Sequence, residues 1–324
     1  MTTYLVTGSD GHLGSTIVSL LASRKMPVRG LRLLNSSSAA PPMEKVFRGD
    51  VTKPETLCPF FSVEGGICIH TAGIVSIGKG EDGRIWDVNV EGTKNVIEAC
   101  KKGGVRRLVY VSSVHAFSTG KGIVDESASF DSRFVEGTYA KSKAEATDCV
   151  LHANGLEVVV VHPSGILGPG DWGKGHLTGL IRDYLSGHLR FCVKGGYDIV
   201  DVRDVAQGIV AAADRAHPKE QFILSGRWCS IKELLDKASL ITGLKPVGML
   251  PLWFAKATAP FAELYYMARK KPMLFSRYAI RVVEDPIRFS SRKARDELGY
   301  TTRPLEETVR DTIRWIESHP SVSQ

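Results

Sequence analysis

The first half of the chain alternates short apolar runs with longer stretches in which apolar residues recur at helical spacing. The short runs predict six strands: Tyr4–Thr7, Val28–Leu34, Val46–Arg48, Ile67–His70, Val105–Ser112 and Leu156–His162. The longer stretches predict three helices: His12–Arg24, Arg84–Lys101 and Tyr139–Ala153. Because strands alternate with helices and the later strands are apolar on both faces, the pattern indicates βαβ units around a parallel sheet.

The pattern changes after Pro163, where glycines and turn residues fill Gly165–Gly175. Mostly helices are predicted beyond that point: Leu177–Ser186, Asp204–Ala213, Ile231–Thr242, Pro251–Met267 and Leu305–Ser318. A single predicted strand, Gln221–Ser225, interrupts them and is expected to return to the main sheet. The apolar stretch Val247–Ala262 falls short of the ~20 residues that cross a bilayer. It predicts either a lid over an apolar site or an interfacial helix.

The composition is that of an ordinary globular protein, with 324 residues, 43% hydrophobic and 24% charged. Most of the net charge of +7 lies in residues 227–324, which hold 17 Lys and Arg against 11 Asp and Glu. The basic stretch from Lys256 to Arg281 is interpreted as a solvated helical face, with peripheral membrane contact through residues 253–281 as the alternative. We expect no nucleic-acid partner and no transmembrane segment.

Cysteine and histidine spacing argues against metal chemistry. The six cysteines are scattered without a Cys-x-x-Cys pair, and the histidines lack the spacing of metal ligands. No metal site is therefore predicted. Unpaired cysteines without a basic and apolar leader before Tyr4 predict a cytoplasmic protein.

A glycine-rich turn, Thr7-Gly8-Ser9-Asp10-Gly11-His12-Leu13-Gly14, joins the first predicted strand to the first helix. Gly8 permits the tight turn, Gly11 lets the backbone approach a pyrophosphate, and Gly14 lets the helix pack on the strand. The helix N-terminus then offers N–H groups and a positive dipole end to phosphates. The turn predicts a dinucleotide site on a doubly wound, Rossmann-type sheet formed by residues 1–165. Residues 166–324 are expected to form a smaller, mostly helical substrate-binding region, with 200–226 returning to the sheet.

Further motifs follow in the order of a known family. Glycines spaced by three and three, the serine pair Val111-Ser112-Ser113 and the run Tyr139-Ala140-Lys141-Ser142-Lys143 resemble the extended short-chain dehydrogenase/reductase family. The later runs His162-Pro163-Ser164-Gly165 and Val202-Arg203-Asp204 point to the same extended branch. The chain is most similar to dihydroflavonol reductase-like and 3β-hydroxysteroid dehydrogenase-like members. The resemblance implies an enzyme that transfers hydride to or from a nicotinamide cofactor.

The catalytic prediction rests on Tyr139 and Lys143, which lie one helical turn apart and therefore emerge on one face. An ammonium near a phenol lowers the pKa of the phenol, so Tyr139 can exchange a proton with a substrate oxygen. Ser113 is predicted to hold that oxygen, with Ser112 as its competitor. The resemblance assigns Asn89 a role in fixing the local helix and anchoring a water molecule. Lys141 is a weaker rival of Lys143.

The predicted cofactor is NADP(H), with NAD(H) as the alternative. The end of the second strand carries Arg32, and Val28–Ser36 contains no carboxylate to accept from the ribose hydroxyls. A guanidinium there suits a 2′-phosphate. The resemblance adds further cofactor-binding positions: Asp50, Val51, Thr71, Ala72, Gly73, Val111, His162, Pro163 and Ser164, together with Tyr139 and Lys143.

Three functions are weighed. The favoured one is oxidoreduction of a secondary alcohol or ketone on an apolar, flavonoid-like or steroid-like molecule. A nucleotide-sugar epimerase or dehydratase with tightly bound NAD is the alternative; Ala116-Phe117-Ser118 departs from the Val-Tyr-Gly that such enzymes carry. A dinucleotide-sensing regulator without catalysis comes third. The resemblance also makes a homodimer an expected assembly.

Overall fold

The computed structural model describes residues 2–33, 45–75, 82–118, 122–172, 175–251, 253 and 287–319. Seven strands form its main sheet: β1 (Tyr4–Thr7), β2 (Val28–Arg32), β3 (Val46–Arg48), β4 (Ile67–His70), β5 (Arg107–Val111), β7 (Glu157–Pro163) and β11 (Gln221–Leu224). They lie in the order β11-β7-β5-β4-β1-β2-β3, and every neighbouring pair is parallel. The strand order reverses at β1, as in a doubly wound sheet. The predicted Rossmann-type fold class is confirmed.

Helices cover both faces of this sheet, which is why its strands are apolar throughout. On one face, α1 (His12–Ser23) packs beside α7 (Val202–Arg215), and their apolar residues meet Val109 and Val111 of β5. On the other face, α2 (Cys58–Phe61), α4 (Gly92–Lys102) and α5 (Thr138–Leu151) cover Leu108 and Tyr110. The alternation along β5 therefore sends neighbouring side chains into two separate cores.

One predicted helix is divided in the structure. The stretch Arg84–Lys101 was expected to be a single helix; α3 (Asp82–Trp86) is instead followed by a π-helical turn, Asp87–Glu91, before α4 begins at Gly92. The turn contains the buried Asn89. Single π turns often occur at functional sites, because they re-aim side chains that a regular helix would place elsewhere.

Beyond Pro163 the chain contains more strands than its sequence pattern predicted. A three-stranded sheet is formed by β8 (Gly165–Leu167), β10 (Gly196–Asp201) and β12 (Arg227–Ser230), and two short parallel pairs add β9 (Phe191–Val193) with β13 (Gly248–Leu250) and β6 (Ile123–Val124) with β14 (Arg288–Phe289). Besides α7, the described residues of this region form the helices α6 (His176–Leu185), α8 (Ile231–Thr242), α9 (Arg292–Leu298) and α10 (Leu305–Ser318). Strands of two to six residues leave little periodic signal, so these strands were not predicted, although helices still account for more of the described residues in this region than strands do.

Two arginines connect the C-terminal helix α10 and the loop before it to α7. Arg203 contacts Asp201 at 2.8 Å and Asp311 at 2.7 Å, while Arg303 donates to both carboxylate oxygens of Asp204. Asp201 also caps α7 by accepting from the N–H of Arg203. The smaller region is thereby fastened to the last helix of the main sheet. The predicted helix Pro251–Met267 and most of the basic stretch 253–281 lie outside the described residues.

Candidate active site

The glycine-rich turn lies between β1 and α1, and steric limits explain two of its three glycines. Gly8 has φ +64°, and a Cβ added there would lie 2.8 Å from the Cα of Ala72. A Cβ on Gly14 would lie 2.2 Å from the carbonyl oxygen of Gly8. A Cβ on Gly11 would meet only that carbonyl oxygen, at 3.3 Å. A side chain at Gly11 would be tight against this carbonyl, but far less so than at Gly8 or Gly14, which is consistent with close approach of a ligand as a further reason for glycine there.

The N-terminus of α1 is built to receive an anion. Its N-cap is Gly11, no side chain caps its N–H groups, and its first turn contains no acidic residue. The N–H groups and the helix dipole therefore face outward with positive polarity. Leu13 packs into the core below, whereas Asp10 and His12 are partly exposed.

His12 connects this turn to the segment that follows β8. Its Nε2 lies 3.1 Å from the carbonyl oxygen of Pro169, and its Nδ1 lies 4.0 Å from the buried carboxylate of Asp171. Burial lowers the pKa of His12, and Asp171 opposes that shift. The neutral ring therefore acts as a hydrogen-bonding link between the two regions of the chain.

The last residues of β2 and β3 are two arginines, at the position where the adenosine ribose is expected. Arg32 ends β2 and pairs in register with Arg48, the last residue of β3. Arg32 was predicted from the sequence, whereas Arg48 was not. A second basic residue at the end of the next predicted strand could have pointed to it. Asp50 follows, with its carboxylate accepting from the N–H and hydroxyl of Thr52, and Val51 is buried beside Gly92.

The segment after β4 joins the glycine-rich turn to α5, the helix that carries Tyr139 and Lys143. The hydroxyl of Thr71 donates to the carbonyl of Thr7 at 2.6 Å, and the N–H of Ala72 donates to the Thr7 hydroxyl at 3.3 Å. A Cβ on Gly73 would lie 3.1 Å from Oδ1 of Asn89 and 3.5 Å from Nζ of Lys143. Gly73 thus allows the segment to pass close to the predicted catalytic residues.

Asn89 holds that segment in place through its side chain. Its Oδ1 accepts from the N–H of Ile74 at 2.8 Å, and its Nδ2 donates to the carbonyl of Ile74 and to the hydroxyl of Ser142, both at 3.0 Å. Its own carbonyl accepts from Thr93 at 2.6 Å. Through these contacts Asn89 connects the π turn with α5 and with the segment that follows β4.

Lys143 lies at the centre of the arrangement and is only 5% exposed. Its Nζ donates to the carbonyl of Val111 at 2.8 Å and lies 3.4 Å from the hydroxyl of Tyr110, over whose ring it sits at 4.9 Å. Burial lowers the pKa of Lys143 to about 8. The ammonium is therefore mostly charged at neutral pH, although it is shielded from water. Tyr110 was not among the predicted residues.

Tyr139 lies in the first turn of the same helix, one turn before Lys143. Its side chain is partly exposed, as a group that meets a substrate must be. Its ring lies edge-on to that of His115, with 6.3 Å between ring centroids. His115 also donates its backbone N–H to the hydroxyl of Ser113 at 3.2 Å. The segment after β5 therefore brings Ser113 to the side of the helix that carries Tyr139.

The two serines of the pair have different surroundings. The hydroxyl of Ser112 lies 2.7 Å from that of Thr147, which in turn donates to the carbonyl of Lys143, so Ser112 serves to pack β5 against α5. The hydroxyl of Ser113 instead accepts from the backbone N–H of His115 at 3.2 Å, within the segment that follows β5. The geometry favours Ser113 over Ser112 as the residue that meets a substrate.

The segment at the end of β7 lies against Ser113. His162 is fully buried, with Nδ1 3.3 Å from the carbonyl of Ser113 and Nε2 3.0 Å from Gln221. Burial lowers its pKa to about 4, so the ring is neutral. Pro163 pairs with Leu224 of β11, and Ser164 is buried directly after it. The His162 side chain is thus occupied within the protein and supports Ser113 from behind.

The described ranges contain neither a cluster of metal-ligating side chains nor a helix that could cross a membrane. Across them, no three His, Cys, Asp or Glu side chains are grouped as ion ligands. Within the same ranges, every helix is too short or too polar to span a lipid bilayer.

Comparison with known proteins agrees with this geometry. The profile of the 3-beta hydroxysteroid dehydrogenase/isomerase family matches residues 5–229. The chain is 32% identical to sterol demethylase protein B of Methylococcus capsulatus, over 97% of this chain and 98% of that protein. It is 30% identical to a 4-hydroxy-2-methyl-3-oxo-4-farnesyl-3,4-dihydroquinoline-1-oxide ketoreductase of Stigmatella aurantiaca, over 95% of each chain.

A crystal structure of the protein gox2253 superimposes with a TM-score of 0.84 and 30% identity, covering 98% of this chain and 99% of that one. The match extends over both the main sheet and the smaller region. The similarity to the extended short-chain dehydrogenases and reductases is thereby confirmed. The chain belongs to the 3-beta hydroxysteroid dehydrogenase/isomerase family, and it is an oxidoreductase of the extended short-chain type.

Proposed function

We propose that this protein reduces a ketone, or oxidises the matching secondary alcohol, on an apolar small molecule with NADP(H) as cofactor. The observation that carries the proposal is the buried Lys143 ammonium, held at 2.8 Å by the Val111 carbonyl one helical turn from Tyr139. An ammonium that is fixed in this way can stabilise negative charge on a neighbouring oxygen.

The residues of the chain divide the proton chemistry between them. Tyr139 donates its phenolic proton to the substrate oxygen in reduction and recovers it in oxidation. Lys143 stabilises the resulting phenolate, and the hydroxyl of Ser113 donates a hydrogen bond that holds the substrate oxygen in place. When bound, the nicotinamide supplies or accepts the hydride at the carbon of the same group.

The residues present fit a nicotinamide dinucleotide. The uncapped N-terminus of α1 and the space at Gly11 suit the pyrophosphate. Lys143 would hold the nicotinamide ribose in addition to stabilising the phenolate of Tyr139. Arg32 and Arg48, paired across β2 and β3, suit a 2′-phosphate better than a bare ribose, because two guanidinium groups would leave the ribose hydroxyls without an acceptor.

An apolar substrate is supported by the relatives. A sterol enzyme and a reductase of a farnesyl-bearing ketone both match nearly the whole chain. In this chain, Phe117 stands where the sugar epimerases carry tyrosine. It is 1% exposed and packs on His162 at 4.5 Å between ring centroids, so no hydroxyl is available there for a sugar.

The cofactor half of the proposal is tested by calorimetric titration of the full chain with NADPH and NADH. We expect NADPH to bind at least about tenfold tighter, since one charge-assisted pair contributes roughly 1.5–3 kcal/mol. Arg32→Asp should abolish that preference by repelling the 2′-phosphate and accepting from the ribose. Arg24→Asp, at the far end of α1, is the matched control and should leave it unchanged. Tighter binding of NADH by the wild type would contradict the assignment.

A further inference from the structure

One flank of helix α6 borders open space and carries the side chains of Thr178 and Arg182. Gly175, Thr178, Gly179 and Arg182 follow the spacing i, i+3, i+4 and i+7, and so share one side of the helix. A Cβ added at Gly179 would meet nothing within 4 Å, so open space lies beside this flank. The neighbouring flank is packed instead, with Ile181 buried and the Tyr184 hydroxyl donating to the carbonyl of Lys245 at 3.2 Å.

Polar atoms on the glycine-lined flank lack partners. Nε and Nη2 of Arg182 and the hydroxyl of Thr178 are shielded from solvent, and none has a hydrogen-bond partner in the part of the chain that the structure describes. A guanidinium remains charged at every physiological pH. Shielding part of such a charge from water without a partner is unfavourable. A protein retains that arrangement most readily where a ligand completes it.

The flank starts beside the glycine-rich turn and leads away from it. The carboxylate of Asp171 accepts from the N–H of Gly175 at 2.8 Å and lies 4.0 Å from His12 at the start of α1. Seven residues of helix place Arg182 about 10 Å farther along. Asp171 makes the near end of the flank negative, and Arg182 makes the far end positive.

We propose that Arg182, assisted by the Thr178 hydroxyl, binds an oxyanion carried by the substrate at the end remote from the reacting carbon. A carboxylate or a phosphate monoester fits the fork of donors that Arg182 presents. The inference rests on the proposed function for its apolar substrate, but it adds that this substrate is an amphiphile with an anionic end. An uncharged ketone would leave the guanidinium unpaired.

The test compares acids with their neutral esters. Two probe pairs are 3β-hydroxy-5-cholenoic acid and farnesoic acid, each with its methyl ester, titrated into the NADP⁺-loaded full chain. We expect at least one acid to bind tenfold or more tightly than its ester. Arg182→Met should remove that difference by weakening only the acid. Arg190→Met, at an exposed arginine shortly after α6, is the matched control and should keep it.

A melting experiment without ligand separates a ligand site from an internal ion pair. Removal of an unpartnered buried cation takes away a cost, so Arg182→Met should melt at the same temperature as the wild type or higher. A lower melting temperature, combined with equal binding of acid and ester by the wild type, would overturn the proposal in favour of an internal partner.

Two further arms identify the source of the oxyanion. Weaker NADPH binding by Arg182→Met would place the cofactor phosphate there, and stabilisation by inorganic phosphate equal to that by the acids would indicate a free-anion site. Either result overturns a substrate-borne group. These readouts measure binding, so an acid preference without NADPH-dependent turnover would leave this inference standing while the proposed function fails.

Discussion

At the residue scale, the proposed chemistry depends on a single buried lysine, Lys143. Lys143 replaces its hydration shell with the Val111 carbonyl and the face of the Tyr110 ring. These contacts keep the ammonium in place without neutralising it, because neither partner carries a full negative charge. The remaining charge is available to the phenol of Tyr139. The same burial makes the lysine sensitive to pH in a range that can be measured.

The pH dependence of reduction follows from that burial. Since the pKa of Lys143 is lowered to about 8, the ammonium is charged below this pH and loses its proton above it. We expect the turnover number for ketone reduction to fall by about tenfold per pH unit above a pKa near 8. Lys143→Met should lose this limb together with most activity. Lys141→Met, at an exposed position two residues earlier, should keep it, and a wild-type profile flat from pH 7 to 10 would contradict the assigned role.

At the same scale, the spacing of Tyr139 and Lys143 and the serine pair predicts candidate catalytic residues, and their catalytic roles stay a prediction. The sequence favoured Ser113 over Ser112 only through the family resemblance, because the physical difference between them depends on which hydroxyl meets Thr147 on α5. Tyr110 was missed for a related reason. It reads as one more apolar strand residue until the register of β5 against α5 places its ring under the Lys143 ammonium.

At the scale of the element, boundaries set by local chemistry were predictable, whereas those set by distant contacts were not. Helices Ile231–Thr242 and Leu305–Ser318 match their predicted bounds, and Ser230 caps the former by accepting from the N–H of Glu233 at 3.0 Å. The π turn at Asp87–Glu91 escaped prediction, because it is fixed by contacts of Asn89 with Ile74 and Ser142, far along the chain.

The glycine-rich turn allows structural and ligand-binding requirements to be separated within one element. Gly14→Ala would place a Cβ 2.2 Å from the carbonyl of Gly8, so we expect a loss of roughly 1–3 kcal/mol in the free energy of unfolding. Gly11→Ala should leave the unfolding free energy within about 1 kcal/mol but weaken NADPH binding at least tenfold, because its Cβ occupies the path of the pyrophosphate. Denaturant melts and titrations of both variants check this. Unchanged cofactor affinity in Gly11→Ala would remove the pyrophosphate from that position.

On the scale of the whole molecule, the parallel sheet was predictable from alternation, but the smaller region was not. Strands β8, β10 and β12 pair with one another although more than sixty residues of sequence separate the first from the last. Strands this short show no hydrophobic periodicity from which they could be predicted. Long-range ion pairs such as Arg303 with Asp204 then fasten this region to α7. A second link is Asp171, which accepts from Gly175 at the start of α6 and lies 4.0 Å from His12, so it connects α6 with the glycine-rich turn.

The central claim is net transfer of hydride to an apolar ketone with Tyr139 as proton donor. The most direct measurement incubates the full chain with NADPH deuterated at the transferred position and a panel of steroid and isoprenoid ketones, then detects products by mass spectrometry. We predict an alcohol with one deuterium on the carbinol carbon. Tyr139→Phe should lower the rate at least about 10³-fold while NADPH affinity stays within twofold of wild type. Cofactor that remains bound on purification, with turnover of nucleotide sugars and no deuterated alcohol, would contradict the account.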